Sequence, residues 1–182
     1  MRNKKALFAV FALVILAVPL YIMISSDSIL RDGHKHKLHL RGFDPFDPFR
    51  GKYLRLSFDN LIPCDENLEI GDKAYVSFEK DSLGFSRFAF AESEKPNHDD
   101  YYLGEVLYAS GECRIKLDNI EKYFINEDLA EKAEDVVQDF TRNQPDNIYV
   151  EVAVLDGEMR LNDIFIKKQP LKEYLNELPT TP

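Results

Sequence analysis

The chain has 182 residues, of which 45% are hydrophobic and 30% are charged, and its net charge at pH 7 is −9. This length has room for one membrane-spanning segment and one domain of ordinary size. Because the first 26 residues contribute +3, residues 27–182 carry −12. So acidic a domain is not expected to bind nucleic acid, since proteins hold phosphate backbones mostly through cationic side chains.

The first predicted element is a helix that spans a membrane. Ala6–Ile24 is a run of 19 uncharged residues rich in Leu, Val, Phe, Ile and Ala. At a rise of about 1.5 Å per residue, it crosses the roughly 30 Å hydrocarbon layer of a bilayer. The alternative is a cleaved signal peptide, whose apolar core is shorter and for which residues 26–28 form a weak cleavage site. We therefore predict a tail and anchor at residues 1–26, a polar connector at 27–33 and a β-rich domain at 34–182.

Basic residues lie on both sides of the predicted anchor, so their number does not fix its orientation. Three of them directly adjoin the helix on its N-terminal side, and long acidic domains cross membranes readily. We therefore expect the N-terminus in the cytoplasm and the domain on the periplasmic or extracellular side of the cytoplasmic membrane. The basic residues are Arg2, Lys4 and Lys5 before the helix and Arg31, Lys35, Lys37 and Arg41 after it.

Most of the remaining chain has the pattern typical of strands. Segments that alternate, or that are rich in aromatic and β-branched residues, are separated by turn formers. Asp156-Gly157 between two alternating runs indicates a β-hairpin. The predicted strands are His34–Gly42, Lys52–Asn60, Lys73–Lys80, Phe85–Ala91, Tyr101–Ala109, Arg114–Asn119, Ile148–Leu155 and Glu158–Lys167.

One segment instead predicts an amphipathic helix. Asn126 is a suitable N-cap residue, and two acids follow it in the first turn, where the helix dipole favours them. From Leu129 to Phe140, apolar residues recur at helical spacing. Leu171–Leu178 predicts at most a short terminal helix. About eight strands and one packed helix predict a mainly β (α+β) fold, either an antiparallel β-sandwich or a partly open barrel.

The chain contains two cysteines, Cys64 and Cys113, both in the predicted domain. An even number of cysteines in an oxidising compartment allows one disulfide. The alternative is two free, partly buried thiols. Because neither cysteine belongs to a CxxC motif, a structural zinc site is not expected.

The most distinctive segment is residues 43–58, which reads FDPFDPFRGKYLRLSF. It resembles the GDYXXLXY family of membrane-anchored bacterial proteins, whose signature is Asp-Pro-x-Asp-Pro-x-Arg-Gly-Asp-Tyr-x-x-Leu-x-Tyr. Lys52 replaces the family Asp, and Phe58 replaces the final Tyr. The matching residues are Asp44-Pro45, Asp47-Pro48, Arg50-Gly51, Tyr53 and Leu56.

The resemblance extends over nearly all of the chain after the anchor, including Tyr123-Phe124 and the predicted hairpin. Since the family has no established activity, the resemblance implies an extracytoplasmic domain and no particular chemistry. It singles out a set of motif residues whose role in binding is open. They are Asp44, Asp47, Arg50, Gly51, Tyr53 and Leu56.

The motif also has a physical interpretation of its own. Each Pro biases the Asp before it toward extended geometry, so the segment is a stiff lead-in to a strand. A charge-assisted hydrogen bond from Arg50 to Asp44 or Asp47 would lock the start of that strand. Two alternatives remain open, a recognition surface for a partner and a hydrolase site built from these residues and Tyr53.

Three histidines follow the predicted anchor. His34 and His36 share one face of their strand, and His39 faces the other way. Because no third ligand lies at a recognisable spacing, we interpret them as a solvated basic stretch near lipid headgroups rather than a metal site. Asp99-Asp100 is interpreted as part of a hydrated loop.

The sequence contains no nucleophile in a glycine-rich elbow and no phosphate-binding loop. We therefore predict no catalytic residue, no metal and no cofactor. The leading hypothesis is a non-enzymatic accessory or interaction domain that works with a membrane protein partner. The alternatives are a hydrolase-type enzyme and a ligand-sensing domain whose small-molecule ligand is unknown. A cleft with converging motif side chains would favour the enzyme, and a deep aromatic-lined pocket would favour the sensor.

Overall fold

The structure, a computed structural model, describes residues 2–44, 53–117 and 119–178, with the backbone alone at 42–44 and at several positions of the first helix. Within these residues it contains three α-helices and twelve strands. The helices are α1 (Arg2–Asp32), α2 (Glu127–Asn143) and α3 (Leu171–Glu177), and one 3₁₀ turn covers Pro145–Asn147. The strands are β1 (His34–Leu38), β2 (Gly42–Asp44), β3 (Tyr53–Ser57), β4 (Leu61–Pro63), β5 (Lys73–Lys80), β6 (Ser86–Glu92), β7 (Tyr102–Ala109), β8 (Glu112–Ile115), β9 (Lys122–Phe124), β10 (Ile148–Leu155), β11 (Glu158–Ile166) and β12 (Gln169–Pro170).

Nine of the described strands form one large sheet, in the order β12-β11-β10-β1-β6-β5-β7-β8-β4. Neighbouring strands are antiparallel except β1 and β6, which are parallel. The sheet curves enough for Leu103 of β7 to donate a backbone hydrogen bond of 2.8 Å to Gly157 of the β10–β11 turn. It does not close into a barrel within the described part of the chain. The mainly β fold class predicted from the sequence is confirmed.

The strands β2, β3 and β9 form a separate small sheet, which shares its core with the large one. Tyr123 of β9 donates its hydroxyl to Asp163 of β11 at 2.7 Å and so ties the two sheets together. The helix α2 contacts the small sheet, β10 and α3. Its buried face consists of Ala133, Val137 and Phe140, which recur at the helical spacing that the sequence predicted.

Two of the predicted strands, each eight residues long, agree with the structure at both ends. Lys73–Lys80 and Ile148–Leu155 have the predicted bounds. The predicted strand His34–Gly42 is divided between the two sheets, because β1 ends at Leu38 and β2 begins at Gly42. Three short strands, β4, β9 and β12, were not predicted, since two or three residues cannot show a period of two.

The helix α1 continues to Asp32, so the predicted connector at residues 27–33 is helical in all but its last residue. The segment Phe11–Asp32 is long and apolar enough to span a membrane, judged by length and composition. At its far end α1 packs against β10 and β11, where Ile29 is 4% exposed. The helix therefore passes directly into β1, joined by the single residue Gly33.

We predict that Gly33→Ala destabilises this junction by about 1–3 kcal/mol, the usual cost of overpacking. An added Cβ would lie 2.5 Å from the Ile29 carbonyl oxygen and 2.9 Å from that of Val154. Both are backbone atoms, so neither can rotate away. The measurement is thermal unfolding of the full chain in nanodiscs. Asp32→Ala, at an exposed neighbouring position, is the control, and equal melting of the two variants would contradict the close packing.

Candidate functional site

The motif residues lie only partly in the described structure. Asp47, Arg50 and Gly51 lie outside the described residues, Asp44 is described by its backbone alone, and Tyr53 and Leu56 lie on β3. The predicted lock between aspartate and arginine, and the hydrolase site, therefore stay predictions. The strand that follows the motif is described, and it pairs with β2 on one side and β9 on the other.

The strand β3 divides its residues between a buried and an exposed face. Leu54 and Leu56 are 4% and 2% exposed and belong to the core. Tyr53 is half-buried and Arg55 is exposed, as expected for side chains that alternate across a strand. Leu56 is thus a core residue, whereas Tyr53 lies on the surface that faces away from the core.

Among the side chains that the structure describes, those of Tyr53, Arg55, Lys122 and Phe124 form one surface of β3 and β9, which we call the outer face of the small sheet. Tyr53 is paired with Phe124, and Arg55 is paired with Lys122. The rings of Tyr53 and Phe124 have centroids 5.9 Å apart, and the Lys122 Nζ lies 5.4 Å from the centroid of the Tyr53 ring. This last geometry is that of a cation–π contact. Phe124 is 72% exposed.

The outer face brings two cations together on an acidic domain. Arg55 and Lys122 occupy directly opposite positions of an antiparallel pair, where like charges repel. The backbone of Asp44 lies opposite Arg55 on the other side of β3. An anionic group placed over the two cations would be attracted to both of them.

The chemistry of the outer face is that of binding. Exposed aromatic rings stack on apolar groups, and arginine and lysine side chains bind carboxylates. The arrangement therefore suits recognition of an apolar and acidic surface.

A second cluster of polar residues lies on β1. His36 is 1% exposed, and its ring is stacked on Phe78 with centroids 4.1 Å apart. The His36 Nδ1 lies 2.9 Å from the Ser86 hydroxyl oxygen, and its Nε2 lies 2.6 Å from a carboxylate oxygen of Asp100. One imidazole thus connects β1, β6 and the loop before β7.

Ser86, His36 and Asp100 have the composition of a catalytic triad, but the serine is not accessible as a nucleophile. Ser86 is 4% exposed, so its hydroxyl cannot meet a substrate carbonyl. Burial lowers the pKa of His36, although the hydrogen bond and the charge of Asp100 oppose this effect. The imidazole is therefore neutral at pH 7, where it joins three segments of the chain as a structural clamp.

The interpretation of the histidines as a solvated stretch is wrong for His36. His36 alternates with the exposed Lys37 and lies on the same buried face as Leu38, and this alternation was the signal for burial that the sequence offered. The loop containing Asp99 and Asp100 is likewise held by β1. His34 Nε2 lies 3.0 Å from an Asp99 carboxylate oxygen at the surface.

The structure joins Cys64 and Cys113 in a disulfide, the bridged one of the two alternatives that the sequence left open. The Cα atoms are 5.7 Å apart, and 49 residues separate the two positions. Cys113 lies fully buried on β8, and Cys64 follows β4 and forms a backbone bridge with Ala91 of β6. The disulfide thus fixes the β4–β8 edge of the large sheet.

Comparison with known proteins gives one match. A family model described as GDYXXLXY protein matches residues 15–164. The matched region begins within α1, includes β1 to β10 and ends within β11. No curated protein and no solved structure matches the chain.

Proposed function

Because the chain belongs to the GDYXXLXY protein family, whose motif leads into β3, we propose that it is a non-enzymatic accessory domain that binds a membrane protein partner through the outer face. In this proposal α1 anchors the protein in the cytoplasmic membrane. The domain lies on the periplasmic or extracellular side. The partner is an integral membrane protein whose extracytoplasmic part presents apolar and acidic groups.

The exposure of Phe124 is the observation that carries this proposal. Single exposed apolar side chains are ordinary on protein surfaces. Here, however, a 72% exposed ring lies beside Tyr53 and two cations, in a cluster held by ring–ring and cation–ring contacts. Aromatic residues and arginine are enriched at the centres of protein–protein interfaces and supply most of their affinity.

The junction between α1 and the domain supports a partner in the same membrane. Ser25–Asp32, which follows the apolar run, extends α1 by about 12 Å at the usual helical rise. The end of the helix packs against β10 and β11. A domain held this close to the bilayer meets membrane-embedded partners at a high effective concentration.

Two further features support the proposed location and partner. The disulfide between Cys64 and Cys113 suits an oxidising compartment outside the cytoplasm. The charge of −12 on residues 27–182 opposes contact with anionic lipid headgroups. A protein is therefore a better candidate than the bilayer itself as the ligand of the outer face.

The proposal is tested by photo-crosslinking in native membranes. The photoreactive residue p-benzoylphenylalanine is introduced in place of Phe124, and adducts are identified by mass spectrometry. We expect one discrete adduct with an integral membrane protein. Ile70, which is 69% exposed and lies outside the outer face, is the matched control position. Equal adduct formation at both positions, or adducts with lipid alone, would contradict the proposal.

We predict that Phe124→Ala reduces recovery of this partner at least tenfold, because truncating a central aromatic residue of an interface costs about 2 kcal/mol or more. Since the side chain is mostly exposed, the free energy of unfolding should change by less than about 0.5 kcal/mol. Affinity purification of the full chain measures the first quantity, and thermal unfolding measures the second. If Phe124→Ala lost the partner and also had a much lower free energy of unfolding, the loss would indicate a folding defect instead.

A further inference from the structure

A cavity of about 410 Å³ lies between β1, β10, the 3₁₀ turn and the β11–β12 turn, away from the outer face. Its size falls within the range of about 300–1,000 Å³ typical of small-molecule pockets. We call it the lysine–aromatic pocket. Among the residues that line it are Lys37, Phe85, Asp146, Tyr149, Lys167 and Lys168.

Aromatic rings form one wall of the pocket. Tyr149 is stacked on Phe165 with ring centroids 5.2 Å apart, and it meets Phe85 edge to face at 5.8 Å. The Lys37 Nζ lies 5.2 Å from the centroid of the Tyr149 ring. Burial raises the pKa of Tyr149, so its hydroxyl stays protonated and can donate a hydrogen bond.

Lys37, Lys167 and Lys168 line the same cavity on a domain that is otherwise acidic, and the Lys167 Nζ also lies 5.5 Å from the centroid of the Phe140 ring. None of Lys37, Lys167 and Lys168 forms an ion pair with a described residue. Asp146 is the carboxylate that lines the pocket with them, and Glu151 lies opposite Lys37 in the strand register. The pocket therefore has an excess of positive charge beside an aromatic wall.

The backbone at two of these lysines is strained. Lys167 and Lys168 form the two-residue turn between β11 and β12 and have φ of 49° and 71°. Turns of this kind favour Asn followed by Gly, because both positions require a positive φ. Lysine at both positions has a conformational cost and is not explained by the turn. Strain of this kind is concentrated at ligand-binding sites.

The pocket lies away from the junction between α1 and the large sheet. Val154 of β10 lies opposite His34, next to the end of α1. Tyr149 lies five residues earlier on the same strand, about 17 Å further from that junction at the usual rise of a strand. Because this distance separates the pocket from the proposed membrane anchor, a dissolved molecule is a better candidate for its ligand than a lipid headgroup.

We propose that the lysine–aromatic pocket binds a small dissolved organic anion that has a flat or apolar body, such as an aromatic phosphate or carboxylate. The rings of Phe85 and Tyr149 contact the body of the ligand. The ammonium groups of the three lysines bind its anionic group. This site is independent of the proposed partner surface, since it shares no residue with the outer face.

The test is a ¹⁹F NMR titration of 4-fluorophenyl phosphate with the full chain in phosphatidylcholine nanodiscs. We expect saturable broadening and a shift of the fluorine signal that empty nanodiscs do not produce. Neutral 4-fluorobenzyl alcohol, titrated in the same way, should bind at least tenfold more weakly because it lacks the anionic group. Inorganic phosphate, measured by displacement of 4-fluorophenyl phosphate, should also bind at least tenfold more weakly because it lacks the aromatic ring. Binding of inorganic phosphate as strong as that of the aryl phosphate would overturn the role of the aromatic wall.

The turn provides a variant in which loss of binding is separable from loss of folding. We predict that combining Lys167→Asn with Lys168→Gly weakens binding of 4-fluorophenyl phosphate at least tenfold. The same variant should melt at or above the temperature of the original chain, because both new residues suit a positive φ. Lys172→Gln, an exposed change on α3, should bind as the original chain does. Unchanged binding by the turn variant would overturn the proposal.

Discussion

Replacing both Cys64 and Cys113 with alanine is expected to lower the free energy of unfolding by about 4 kcal/mol. The bridge closes a loop of 49 residues, and the loss of this constraint from the unfolded chain accounts for a cost of that size. Because domains are stable by only about 5–15 kcal/mol, this is a large share of the total. For a domain of this length, the melting temperature should fall by roughly 10 °C.

The measurement is unfolding of the full chain in nanodiscs, with and without reductant. Reduction should bring the original chain close to the double variant and leave the double variant unchanged. A difference below about 1 kcal/mol would show that the edge formed by β4 and β8 is held without the bridge. If the double variant has a lower free energy of unfolding than the reduced original chain, the difference measures the cost of the cavity left at Cys113, which is fully buried.

The second large effect is expected at His36. His36→Leu removes the partner of the buried Ser86 hydroxyl and of the Asp100 carboxylate. An unsatisfied buried polar group costs about 1–3 kcal/mol. His34→Leu is the matched control, because His34 also pairs with an aspartate but does so at the exposed surface, where such a pair contributes less than about 1 kcal/mol.

The same histidine is expected to make stability depend on pH. Its pKa in the folded protein lies below the value of 6.5 that applies to the unfolded chain, chiefly because of burial. The folded state therefore binds this proton less readily than the unfolded state does. Its contribution to stability is complete above pH 6.5 and is lost as the pH falls through 6.5 toward the folded-state pKa.

In this window the free energy of unfolding should fall by up to about 1.4 kcal/mol per pH unit. His36→Leu should remove this component of the pH dependence, whereas His34→Leu should retain it. Chemical denaturation of the full chain between pH 5 and 8 measures the slope of each variant. Identical slopes for the original chain and His36→Leu would contradict the assignment of the titrating group.

The elements that could be predicted from the sequence are those with a local pattern. The apolar run Ala6–Ile24 specified a helix of membrane length, and α1 contains it. Alternation specified the faces of β3, so that Leu54 and Leu56 are buried. The turn at Asp156-Gly157 has φ of 49° and 85° and forms the hairpin expected from that dipeptide.

The contacts that define the candidate sites could not be predicted in this way. Sequence alone left the pairing of the two cysteines open, and it gave no reason to place Asp100 beside His36, 64 residues earlier. It ended the anchor at residue 26, because the packing of Ile29 against β10 and β11 is not visible in a local pattern. Each of these features requires knowledge of which strands are neighbours.

The sequence by itself therefore determined the class of the fold, the membrane-length helix and the apolar face of α2. A period of 2 or 3.6 residues reports which face of an element avoids water. The tertiary structure alone decided what covers each face, because the local sequence does not show which other element packs against a buried face. Phe124 lies beside Tyr53, and three lysines line one pocket with Tyr149, only because of the order of the strands in the two sheets.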